Sequence, residues 1–82
     1  MERLIPKLRF DTMFITGIIP ENTPKKALCA SGLAAWANLM AGASVPTHFG
    51  EAMTEIGLRL GTLATPESLM AYCKTLQTGE QE

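Results

Sequence analysis

The sequence predicts a mainly α fold, with three helices preceded by an N-terminal extended arm or β-strand over residues 1–20. Three observations carry that expectation. Thr23-Pro24 and Thr65-Pro66 each open a run of helix-forming residues, the runs that follow place apolar residues three and four apart, and a β-branched and aromatic cluster from Phe10 to Ile19 ends on Pro20. With 82 residues the chain has room for a single core. The expected organisation is one domain over residues 1–78 and a polar tail at 79–82.

In the arm, Phe-Asp-Thr-Met-Phe-Ile-Thr-Gly-Ile-Ile favours extended backbone, which Gly17 weakens. A lone strand cannot stand alone, so the arm is expected to pair with its own N-terminal segment, with a second subunit or with another protein's sheet edge. The first helix is expected from Pro24 to Ala41, with Thr23 as its cap and Gly42 as its stop. Leu28, Cys29, Gly32, Ala35, Trp36, Leu39 and Met40 form its apolar stripe, which Leu33 and Ala34 widen.

The second helix is expected from His48 to Leu60, capped by Thr47 and closed by Gly61. It would bury Phe49, Ala52, Met53, Ile56 and Leu60, and Glu55 precedes Arg59 at the favourable four-residue spacing. Gly57 within it costs about 1 kcal/mol against alanine. The third helix runs from Thr65-Pro66-Glu67 to Gln77 and would bury Leu69, Met70, Cys73 and Leu76.

So short a chain gains little net free energy from its core, which points to an additional stabiliser. The opening residues Met1 to Arg9 carry Glu2 and Pro6 and no apolar signal core, which leads to a cytoplasmic setting. Cys29 and Cys73 sit among apolar neighbours and are expected to be free core thiols rather than a disulfide, a metal site or reactive groups. Self-association is then the leading stabiliser.

No charged residue occurs between Ala27 and Gly50. Alanine, glycine and asparagine give such a stretch too little insertion free energy for a membrane span, so the expectation is a helix buried on nearly every side. Two neighbouring helices cannot cover it fully, and a second chain would supply the rest. The interface residues expected on this basis are Phe14, Ile15, Ile18, Leu28, Gly32, Trp36 and Met40, with the alternative that Trp36 fills the domain's own core.

His48, Glu51 and Glu55 could share a metal, but a lone histidine at a helix start beside an acidic face is common without one, and no cofactor is expected. No nucleophile, base and acid converge in sequence, although Cys29 or Cys73 could meet His48 in space. A net charge of −1 gives no field to attract nucleic acid or an anionic membrane. The Gly61–Thr65 turn could join a helix-turn-helix, but the last helix would offer DNA only Glu67 and Lys74.

The function expected from the sequence is therefore that of a non-enzymatic protein-binding module, an adaptor, chaperone or inhibitor acting as a homodimer, of the kind bacterial or phage accessory proteins supply. A small DNA-binding regulator, using either a helix-turn-helix or its arm strands, is the first alternative. An enzyme subunit or small-molecule binder with a site completed across a dimer is the second.

Overall fold

The structure, a computed structural model, describes residues 10–78, and among them it holds four helices and no strand. These are α1 (Thr12–Thr16), α2 (Lys25–Met40), α3 (Phe49–Leu60) and α4 (Pro66–Thr78). The described part of the expected strand is α1 and the irregular segment after it. The stretch before Phe10 and the expected polar tail at 79–82 lie outside the described residues.

The correction has a local cause. With no strand opposite, the backbone groups of this stretch are satisfied within the turn itself: Phe14 N–H donates to the Asp11 carbonyl and Gly17 N–H to that of Met13, both at 2.9 Å. Gly17 then ends the helix in the left-handed region at φ 80°. A side chain there would also meet His48 and Glu51 at 3.1 Å. Only part of the cluster is buried: Phe14 and Ile19 enter the core, with Phe14 stacked on Phe49 at 5.8 Å, while Ile15 and Ile18 stay exposed.

The connection from α1 to α2 is held by Arg59. Its guanidinium donates to the Pro20 carbonyl at 2.6 Å and the Ile19 carbonyl at 2.9 Å, while Nε pairs with Glu55 at 2.8 Å. The Glu55–Arg59 spacing thus does more than brace one helix. A guanidinium fork meeting two backbone carbonyls and a carboxylate ties the α1–α2 connection to α3.

The central helix, α2, packs on α3 along one side and on α4 along another. Thr23 does not cap it: the N-cap position is Pro24, without a side-chain cap bond, and Thr23 Oγ1 donates to the Pro20 carbonyl at 2.8 Å. Leu28, Cys29, Gly32, Ala35 and Asn38 are buried. The charge-free stretch is nevertheless not enclosed on every side, because Ala30, Ala34, Ala37 and Met40 face outward. Each exposed alanine shows a single methyl group, so most of this face costs little in water.

The two cysteines form a disulfide, Cys29–Cys73, which corrects the expectation of free thiols. α4 folds back along α2 so that these residues come opposite each other with their Cα atoms 5.9 Å apart. The bond joins positions 44 apart in sequence, and a loop of that length gives about 4 kcal/mol in the chain-entropy description. A covalent link thus supplies the stabiliser for which self-association was the leading candidate.

On α4, Leu69 is buried as expected, Cys73 and Leu76 are half-buried, and Met70 is exposed, while Tyr72 packs against the core in its place. Thr65 caps this helix through its Oγ1, which accepts from Ser68 N–H at 3.2 Å.

Asn38 is only 1% exposed, and its side-chain oxygen and nitrogen have no hydrogen-bonding partner among the described residues. A buried amide in that state costs folding free energy that an aliphatic side chain of similar size avoids. Asn38→Leu is expected to raise stability by about 1–2 kcal/mol in urea denaturation, and a loss of stability would refute that account.

Candidate protein-binding groove

The helical period places Gly50, Met53, Gly57 and Gly61 along one face of α3. That face and the turn into α4 enclose an open groove of about 790 Å³. Met53 and Gly57 are buried and form its floor, whereas Leu58 and Leu63 are 73% and 71% exposed and stand at its edge. Phe49 closes one end, and among the described residues no charged side chain lines it.

The far wall is fixed by backbone geometry. Gly61 adopts φ 76°, and both its N–H and that of Thr62 donate to the Gly57 carbonyl at 2.8 and 3.1 Å. Trp36 Nε1 then donates to the Ala64 carbonyl at 2.7 Å. The Trp36 ring meets Phe49 edge-on at 5.2 Å, so the floor and wall rest on the aromatic cluster Phe14, Phe49 and Trp36.

Of the seven expected interface residues, four are engaged within the domain. Phe14 and Leu28 are in its core, Gly32 lies beneath Leu69, and Trp36 is half-buried with its indole N–H satisfied. Ile15, Ile18 and Met40 are exposed, and none of them lines the groove. Ile18 borders a second hollow of about 500 Å³ beside α1, together with Met13, Thr16 and Pro20.

Leu58 and Leu63 were not singled out from sequence. Leu58 falls outside the apolar stripe of α3 and Leu63 lies in a turn, and an isolated exposed leucine is ordinary. Only their convergence on one groove distinguishes them.

The other candidate chemistry is dispersed. His48 Nδ1 lies 2.7 Å from Glu51 Oε1, but Glu55 is turned to Arg59, and no group of three metal-ligating side chains forms among the described residues. Neither cysteine meets His48 as a thiol, since the two are bonded to each other. α4 packs chiefly on α2, and among the described residues no extensive α3–α4 contact pairs the last two helices as a helix-turn-helix would. No helix among the described residues is long and apolar enough to cross a membrane.

Compared with protein-family models, with curated proteins and with solved structures, the chain matches none.

The close turn also explains Gly57. A Cβ at this position would stand 2.8 Å from the Thr62 carbonyl oxygen. In an exposed helix Gly→Ala gains about 1 kcal/mol. Here Gly57→Ala is expected to lose about 1–3 kcal/mol, because the turn must move; an increase in melting temperature would contradict the close approach.

Proposed function

We propose that this chain is a non-enzymatic protein-binding module that works as a homodimer, with the α3 groove docked against the same groove of a second copy. The dimer is the form that engages another protein as adaptor, chaperone or inhibitor.

The observation that carries the proposal is the uncharged groove edged by Leu58 and Leu63. A two-fold interface sets one patch against its own copy, so like residues meet on the axis and different residues of the patch meet off it. Among the described residues this patch brings no charge to either position. The groove also supplies both halves of a fit, since Leu58 and Leu63 project while Gly50 and Gly61 present no side chain. Nothing within 4 Å fills the side-chain space at either glycine, so a projecting leucine of a second copy has room there. Burying two such leucines from each copy removes from water the largest apolar groups of this face.

Sedimentation equilibrium tests the proposal directly. The natural chain is expected to be dimeric at micromolar concentration, and Leu58→Glu with Leu63→Glu is expected to make it monomeric with its helical circular dichroism retained. A natural chain that stays monomeric to about 1 mM, where association is worth only about 4 kcal/mol, would end the proposal.

A further inference from the structure

We infer that Cys29–Cys73 is a redox latch: a thiol reductant releases α4 from the domain while α1, α2 and α3 remain folded together. Three observations converge on it. The first is how unevenly the helices are held. α3 packs against both α1 and α2 and buries five residues, and Arg59 binds it to the α1–α2 connection as well. α4 packs mainly on α2, and although that is the most extensive helix pair, it ties α4 to one neighbour where α3 has two.

The second is how little α4 buries. Leu69 is its one fully buried side chain among those described, while Tyr72, Cys73 and Leu76 are half-buried. A helix this short gains little from its own hydrogen bonds in water, so its place depends on the α2 contact, in which a single leucine is fully buried among the described residues. The disulfide sits in the middle of that attachment, about one turn from the Leu69–Gly32 contact.

The third is access. Cys29 is 2% exposed, whereas Cys73 is half-buried, so Cys73 is the less covered of the two and the one an incoming thiolate would meet. A thiolate of a dithiol attacks Cys73 Sγ and forms a mixed disulfide. The Cys29–Cys73 bond breaks, and its electron pair leaves on Cys29 Sγ, which takes up a proton. The second thiol of the reductant then attacks its own sulfur in the mixed disulfide, and Cys73 Sγ leaves and is protonated. Two electrons and two protons pass to the cysteines, and the dithiol becomes a cyclic disulfide.

Release exposes the α2 surface around Gly32 together with Leu69 on α4, two surfaces that cover each other in the oxidised form. A reducing thiol pool would favour the open form and an oxidising compartment the closed one. The latch does not rest on the groove proposal, although release of α4 would also loosen the turn that forms the groove's far wall.

The test is amide hydrogen exchange on the full chain, oxidised and in excess dithiothreitol, with bond cleavage verified by alkylation of both thiols. Protection across α4 is expected to fall by at least ~100-fold, with α3 amides changing less than about threefold. The double variant Cys29→Ser, Cys73→Ser should show the same pattern without reductant. Unchanged α4 protection after cleavage would overturn the latch, and so would a loss of protection in all helices together, which would make the bond a staple of the whole fold.

Discussion

Gly32 and Leu69 meet across the seam between α2 and α4, and the placing of α4 depends on that contact. A Cβ on Gly32 would stand 2.7 Å from Leu69 Cδ1, so the leucine occupies the space where a side chain would otherwise be. The approach sets Cys29 against Cys73, and it brings the start of α4 to the end of α2 where Trp36 Nε1 can reach the Ala64 carbonyl. A bulkier residue at Gly32 would push α4 away from α2 and strain the disulfide and the indole bond together.

The other half of the domain is held by polar groups instead of close approach. Arg59 reaches from α3 to two carbonyls in the α1–α2 connection, and His48 N–H donates to the Phe14 carbonyl from the opposite end of the same helix. These contacts fix both ends of α3 against the N-terminal segment and leave its middle to pack on α2. A chain with few aromatic residues spends three of them, Phe14, Phe49 and Trp36, at the point where α1, α2 and α3 converge. The groove is a consequence of that geometry: α3 is pinned on its inner face, the turn after it is drawn tight over Gly57, and the remaining face is left without charge.

The division between the two halves has a dynamic meaning. Interactions spread over several elements open together, whereas an element tied to one neighbour can open alone. α3 belongs to the first kind and α4 to the second, and this difference makes a covalent bond across the α2–α4 seam consequential. It also separates two surfaces that the charge-free stretch of α2 seemed to combine: an outward alanine face that water tolerates and an inner face that α4 covers.

Local signals in the sequence determined three helices and their limits to within a residue or two. The caps at Thr65 and Gly61, the apolar stripe of α3 and the Glu55–Arg59 pair depend on neighbours a turn away, and short-range chemistry is enough to specify them. Phe10 to Ile19 was misread because β-branched composition is a weak guide to backbone state, and with no strand opposite the segment closed its hydrogen bonds within a helical turn. The disulfide was hidden for a related reason: 44 residues separate Cys29 from Cys73, and only the return of α4 along α2 makes them neighbours. The groove was least legible of all. Leu58 and Leu63 carry no signal one at a time, and they become a surface only once Gly57 lets the turn close and Trp36 holds it. The sequence alone therefore settled where α2, α3 and α4 begin and end, because those signals act within a turn; the tertiary structure decided that α1 is a helix and which residues face each other, because that depends on contacts across the whole chain.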